Sequence, residues 1–420
     1  MVRLLTGVIT VSLSLAWGPA GAETPEQHKF VFGADISYID TSGLPSWTDG
    51  FVGKLRFDDD SDGLVLNRAF VDYRGLIADT IDANVALEVY DDDLGSAIDF
   101  TEAYLEWRPV PRSPNRYRVK VGAFYPRISL ENTDAGWGSP YTLNSSTINS
   151  WVAEELRTFG TEFSVSRRPQ SLGGTHQFGL QAAVFWANDP AGSLLAWKGW
   201  SAHDRQSRFG DKLPLPPLPQ IQPGMIFENQ DPYVAPFREI DGKAGYYVSG
   251  DWRIGSRFLI RAMHYDNRAD PTVLEDGQYG WTTQFDHVGA QLSLPAGFGI
   301  IGQWMRGSTV MGSVINGAHA VDVEYDSMFL LLTKALDKHR FSLRYDNFEV
   351  TQNDATPEDN NPENGHVWTA SYRFGWSEKV SFAAEWLSIK THHCGWIYYG
   401  ISPTATEEQL QLTVMLRFSN

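Results

Sequence analysis

The sequence predicts an all-β protein: a transmembrane antiparallel β-barrel of about 16 strands with an inward-folded constriction loop. Three observations predict it. Apolar and polar residues alternate with period 2 along most of the chain, the connections between these segments switch between long and short, and the last segment is amphipathic and ends on an aromatic. Composition agrees, since 13% aromatic residues and 38 glycines, without capped 3.6-periodic runs, argue against an α/β enzyme.

At the N-terminus, Met1-Val2-Arg3 is a short basic start, Leu4 to Trp17 is largely apolar, and Ala20-Gly21-Ala22 fits a small-residue cleavage site. Residues 1–22 therefore read as a secretory signal peptide, and 23–420 as the exported barrel. The apolar part is too short to span a bilayer, and no later stretch offers about 18 apolar residues in a row. Loss of Arg3 takes the formal charge from −17 to −18, which argues against nucleic acid as a partner. The single cysteine, Cys394, excludes an intramolecular disulfide framework.

Ile81 to Asp91 is the template strand: Ile81, Ala83, Val85, Leu87 and Val89 share one apolar face, while Asp82, Asn84, Glu88 and Tyr90 share the other. The pattern recurs in Lys29 to Ile39, Leu64 to Arg74, Phe100 to Arg108, Tyr117 to Phe124, Arg157 to Ser166, His176 to Asn188, Lys243 to Arg253 and Arg257 to Asn267. It continues in Phe285 to Leu294, Phe298 to Gly307, Val321 to Leu336, Lys338 to Val350, His366 to Trp376, Val380 to Lys390 and Leu410 to Phe418, sixteen segments in all. The final one resembles the C-terminal signal read by the outer-membrane assembly machinery.

Long connections precede every even-numbered strand, and brief turns such as Ile254-Gly255-Ser256 and Ser377-Glu378-Lys379 precede the odd ones. Short turns at one end and long loops at the other are the asymmetry of a transmembrane barrel, which a soluble sandwich has no reason to keep. Tyr125 to Glu155 has no sustained period and lies after the fifth strand, where a porin-type barrel folds its third long loop inward. The longest connection, Asp189 to Gly242, holds the polyproline-like Leu213 to Pro219 and is expected outside the membrane, across the barrel mouth. Phe51 to Phe57 alternates too and is expected as a small hairpin inside the first loop, because a seventeenth strand would break the even count usual in bacterial barrels.

Closing sixteen strands leaves an interior too wide for side chains to fill, so water fills it and the apolar faces meet lipid. Trp107, Tyr117, Tyr345, Trp368, Tyr372 and Trp386 are candidates for the aromatic girdles. The polar faces carry Arg68, Arg74, Arg118, Lys120, Arg261 and Arg344, and Arg127 and Glu131 open the constriction loop; these eight are the candidate pore-lining residues. Rows of Arg and Lys select anions, and Arg offers phosphate or carboxylate a bidentate fork. Wall acids such as Asp72, Asp82, Glu102 and Glu106 leave a second reading open, in which salt bridges neutralise the row.

Asn67 to Gly75, Thr101 to Trp107 and, most specifically, Gly122-Ala123-Phe124-Tyr125-Pro126-Arg127-Ile128-Ser129-Leu130-Glu131 look like the family of phosphate-selective porins O and P. The resemblance covers the first half of the chain best. It implies a homotrimeric sixteen-stranded anion channel in a Gram-negative outer membrane, in contact with lipid and lipopolysaccharide. Asn67 stands where members often carry a second basic residue, and Tyr125 replaces a common lysine. The resulting expectation is a porin for small hydrophilic solutes, leaning to anions such as phosphate, without a cofactor.

Other constellations are weaker. Asp58-Asp59-Asp60-Ser61-Asp62-Gly63 starts like an EF-hand loop, but Ala69 stands where a bidentate Glu is needed. In His392-His393-Cys394 three adjacent residues cannot all face one metal. No nucleophile elbow or catalytic triad pattern rises above chance, so an enzyme or adhesin is a minor alternative. A barrel for sugars or hydrophobic substrates is another, with Trp137, Tyr141 and Trp151 as a stacking track.

Overall fold

Alternation carried to completion closes the sheet. The computed structural model describes residues 28–167 and 174–420; the expected signal peptide lies outside them. In chain order the strands are β1 (His28–Ser42), β2 (Gly63–Ala78), β3 (Ile81–Val89), β4 (Ile98–Trp107), β5 (Asn115–Phe124), β6 (Thr158–Arg167), β7 (His176–Trp186), β8 (Leu213–Pro214), β9 (Tyr233–Val234) and β10 (Gly245–Ile254). They continue with β11 (Phe258–Asp266), β12 (Leu274–Glu275), β13 (Gln278–Tyr279), β14 (Thr282–Ser293), β15 (Phe298–Ile315), β16 (Ala318–Leu336), β17 (His339–Gln352), β18 (Glu363–Gly375), β19 (Val380–His393) and β20 (Thr404–Ser419).

Strands β8 with β9, and β12 with β13, form two small ribbons in the loops; the other sixteen make one closed antiparallel barrel. Closure is made by β1 against β20, in register from Val31 opposite Ser419 to Ser42 opposite Glu408. Among the described residues the barrel sheet so closed has no edge left for lipid, which offers no hydrogen bonds. Each of the sixteen expected segments falls on one of these strands.

The two faces follow the period. In β16, Phe329 and Leu331 are buried against the interior while Leu330 and Leu332 are 54% and 46% exposed on the outside. Trp107, Tyr117, Trp368 and Trp386 also point outward and exposed. Buried apolar residues gather inside the barrel, where Trp151 packs edge-on against Trp200, Phe285 and Tyr325 at 5.3–6.1 Å between ring centres.

Three expectations need correction. Phe51 to Phe57 is irregular rather than a hairpin, and Val52, Lys54, Leu55 and Arg56 are buried under the other loops. The connection before the twelfth barrel strand is short: β15 and β16 run on to a two-residue Asn316-Gly317 turn with φ of 55° and 97°, which Asn and Gly tolerate best. Tyr125 to Glu155 is not wholly irregular, since it holds helix α1 (Thr147–Glu155). Ser146 caps α1 by accepting from the Asn149 N–H at 3.3 Å, and Ile148, Trp151 and Val152 recur at helical spacing.

Candidate functional site: the lumen and its constriction

The constriction loop leaves β5, crosses the lumen and is fastened to six strands of the far wall. The Leu130 N–H donates to Gln303 on β15 at 2.8 Å, the Thr147 hydroxyl meets Ser327 on β16 at 2.9 Å, and the Thr147 N–H donates to Asp346 on β17 at 3.0 Å. Arg373 on β18 donates to the Ser139 carbonyl at 2.5 Å; Glu385 on β19 accepts from the Asn144 N–H at 2.8 Å, and Gln411 on β20 accepts from the Asn144 side chain at 3.1 Å. Gly136 pins the near side to β2. Its N–H donates to Asp72 at 2.7 Å, its carbonyl accepts from Arg68 at 2.8 Å, and its φ of 64° together with the Phe70 ring 2.8 Å from a would-be Cβ leaves room for glycine only.

At the centre of these fastenings sit two of the candidate residues. Glu131 and Arg344 are a wholly buried ion pair at 3.2 Å. Arg344 also donates to Asp346 at 2.9 Å and to the carbonyls of Asn144 and Ser145 at 2.8 Å each, while Glu131 accepts from the Ser146 N–H at 2.7 Å. Their role in this geometry is to hold the loop rather than to face solute. Among the other candidates, Arg68 is buried between Asp35 at 2.9 Å and Glu88 at 3.6 Å, and Lys120 lies over the Tyr104 ring at 4.9 Å. Arg74 and Arg118 are half-exposed and share Glu106 at 3.8 Å each. Arg261 is buried and donates to the Arg127 carbonyl at 3.1 Å, which places Arg127 on the same side of the lumen.

The balance of charge along the wall differs from place to place. On β2–β4 the cations are matched: Arg74 and Arg108 sit on Asp82 and Glu106. On β5–β10, near the end with the short turns, they outnumber the acids. A cavity of about 290 Å³ there is lined by Arg116, Arg118, Arg127 and Arg253 against the lone carboxylate of Asp251. The stacking track is not assembled, because Trp151 is fully buried and Trp137 is stacked on Tyr125 at 4.5 Å.

A second layer lies on the constriction. The 187–244 connection folds inward, carrying α2 (Ser193–Trp197) and burying Trp197, Trp200, Ala202 and His203. Glu155 at the end of α1 accepts from the N–H groups of Leu194 at 3.0 Å and Leu195 at 3.2 Å, and so seats α2 on α1. Glu154 pairs with Lys198 and, at 2.7 Å, with His203. Burial alone would raise the Glu154 carboxyl, but the Lys198 ammonium and the His203 imidazole outweigh it and hold it down at about 2. Lys54 of the first loop adds a buried pair with Glu363 at 2.5 Å.

The two ends of the long connection meet at Asp189. Its carboxylate accepts from the Ile240 N–H at 2.5 Å, and the carboxylates of Glu239 and Asp241 lie within 4.8 Å of it. Burial, then the Glu239 and Asp241 charges, push Asp189 up to about 7, against the pull of the Ile240 N–H. In the unfolded or undocked chain this carboxyl ionises near its ordinary value, so between about pH 4 and 7 the docked form holds the extra proton. The contribution of this contact between the two ends of the connection is then fully present below that window and is lost as pH rises through about 7. Hydrogen exchange in 187–244, corrected for intrinsic rates, is expected to quicken from pH 5.5 to 8.5. Asp189→Asn is expected to flatten the change; an equal pH response in that variant would refute the assignment.

The remaining motifs are occupied locally. Asp58 accepts from the Ser46 N–H at 2.7 Å and Asp62 from the Thr41 N–H at 2.9 Å, which ties the acidic stretch to β1 and the first loop. His393 is buried and accepts from the Gly395 N–H, whereas His392 is exposed.

No protein-family model matches the chain, and no curated protein is similar to it. Solved structures are. The outer membrane channel DcaP of Acinetobacter baumannii is 11% identical, with a TM-score of 0.51 over 95% of this chain and 100% of that one. The anion-selective porin from Comamonas acidovorans is also 11% identical, with a TM-score of 0.51 over 93% of this chain and 98% of that one. The fold is thus that of the porin-like outer-membrane channels.

Proposed function

We propose that the chain is a porin of a Gram-negative outer membrane, exported by removal of residues 1–22, assembled as a homotrimer, and passing small hydrophilic solutes with a lean to anions such as phosphate. The observation that carries the reading is a loop folded across a closed barrel, with an arginine-rich cavity on its turn side where cations exceed acids. A lumen narrowed in this way selects by size and by field. The anion-selective neighbour and the resemblance to the porin O and P family point the same way. Selectivity here needs no bond chemistry, and a resident cofactor has no part in it.

Single-channel recording in a planar bilayer tests the proposal. The reversal potential in a KCl gradient is expected to report anion preference, and Arg116→Ala with Arg118→Ala to move it toward cations. Phosphate is expected to reduce the chloride current. A correctly folded barrel that conducts nothing would sink the pore reading and favour the enzyme or adhesin alternative.

A further inference from the structure

Asn67 has no partner on β1. Asp35 pairs with Arg68 and Ile36 with Leu66, which makes Asn67 the extra residue of a bulge. The slip turns two successive side chains inward, so Asn67 and Arg68 are both buried against the lumen. Beside them a narrow gap separates the constriction loop from the wall made by β20, β1 and β2. It is lined by Asp35, Arg68, Thr413 and Arg417 on the wall and by Asp134 and Trp137 on the loop. Its volume of about 30 Å³ is roughly the room of one or two waters. A cavity of about 290 Å³ shares Asp134 and Trp137 with the gap and reaches Lys29 and Arg74 toward the short turns. Water enters from that side, where the side chains of Asp134 and Arg417 are 50% and 26% exposed. At the outer end Arg56 and Asp204 are 6% and 8% exposed.

Three side chains bridge that outer end. Arg56 of the first loop donates to the Asn67 side-chain oxygen at 2.7 Å, to the Asn67 carbonyl at 2.9 Å and to one carboxylate oxygen of Asp204 at 3.0 Å. The Asn67 amide closes the ring by donating to the other oxygen of Asp204. The backbones that carry Asn67 and Asp204 are held by other contacts. Asn67 stands in β2, whose neighbours are laddered on both sides. The chain around Asp204 is fastened to the constriction loop: the His203 carbonyl accepts from the Ser145 N–H at 3.0 Å, and the Gln206 side chain donates to the Gly136 carbonyl at 2.8 Å. Two fixed jambs are thus joined by groups that can rotate without moving either.

We infer that Arg56, Asn67 and Asp204 are a side-chain gate, with Asp204 as its moving part. When the Asp204 carboxylate turns away from Asn67 and Arg56, the gap opens outward and joins the turn-side cavity to the external side. The bulge at Asn67 is what aims its amide across the gap; in an unbroken ladder the alternation of faces would not turn both Asn67 and Arg68 inward. Opening gives up charged hydrogen bonds in a place with little water to replace them, so the shut state dominates and openings are brief. The inference rests on the porin reading for what crosses the gap. The closure is a property of the side chains whether or not solute follows.

Single-channel recording of the full-length barrel tests the gate, in a Cys394→Ser background so that added cysteines are the only thiols. The parent barrel is expected to open briefly from a shut level. Asp204→Ala is expected to raise the ratio of open to shut time about tenfold, the factor that one charged hydrogen bond is worth. Asp204→Asn keeps the shape and should fall between, which preserves the test if the alanine variant fails to fold. Asn67→Cys with Asp204→Cys, joined by a short thiol cross-linker, should stay shut until reductant releases it. A second readout needs no current. Thr413 lies in the wall of the gap and is 3% exposed, and the reaction of Thr413→Cys with a small charged thiosulfonate should quicken by the same factor when Asp204→Ala is added. An unchanged reaction rate overturns the gate whatever the current does. A cross-linked barrel that conducts like the parent puts the passage elsewhere and overturns it too. No current in any variant, with the reaction quickened, removes the porin reading and leaves the closure standing.

Discussion

Arg344→Ala is expected to release the constriction loop while leaving the barrel closed. The guanidinium is fully buried and holds Glu131, Asp346 and two loop carbonyls at once. Removing one partner of a buried ion pair strands the others, at a cost of about 3–5 kcal/mol. The barrel ladder does not pass through this contact, so the loss falls on the docking of the loop against β15–β20. Single-channel conductance should rise and its noise increase, hydrogen exchange over 128–150 should accelerate, and the heat-resistant electrophoretic mobility of the folded barrel should persist. Arg344→Lys, which keeps the charge and loses the fork, should fall between. Wild-type conductance and exchange in Arg344→Ala would refute the lock.

The second large effect is expected from Glu154→Ala. It leaves the ammonium of Lys198 and the imidazole of His203 facing an empty position in a buried layer. The penalty is again about 3–5 kcal/mol, and here it falls on the contact between α1 and the long connection. Limited proteolysis should read it directly. Lys198, Arg205 and Arg208 are buried in the intact protein and become cleavable by trypsin once the connection lifts. Glu154→Gln keeps the shape without the charge and should be intermediate. Cleavage no faster than in the parent chain would show that apolar packing around Trp197 and Trp200 holds the layer without the ion pair.

What was legible in the chain follows from the range over which each signal acts. Period 2 is local, so all sixteen barrel strands could be read directly. The expected strand ends at Gly307, while β15 continues to Ile315 through a bulge between Met311 and Val314 that resets the alternation. Asn316-Gly317 is itself a local hairpin signal, consistent with the tight turn the two residues make. Helix α1 is buried on every side, so it shows no polar stripe, although Ile148, Trp151 and Val152 have the right spacing. The eight candidate residues do lie on the inner wall or in the loop, but partners 213 residues apart, such as Glu131 and Arg344, depend on how the barrel closes. No local pattern carries that: Asp346 and Glu385 are legible as wall acids but not as anchors of the loop, and Gln303 and Gly136 are not legible at all.

The long β15–β16 hairpin gives the rim an uneven height. Nineteen residues in β16, at about 3.4 Å each, reach roughly 60 Å along the strand, against an apolar band about 25 Å tall. The nine residues of β11 cover about half that length. One side of the barrel therefore stands like a mast above a low gunwale. The Asn316-Gly317 tip lies at the end of the barrel opposite the short turns, the part of this hairpin farthest from the apolar band.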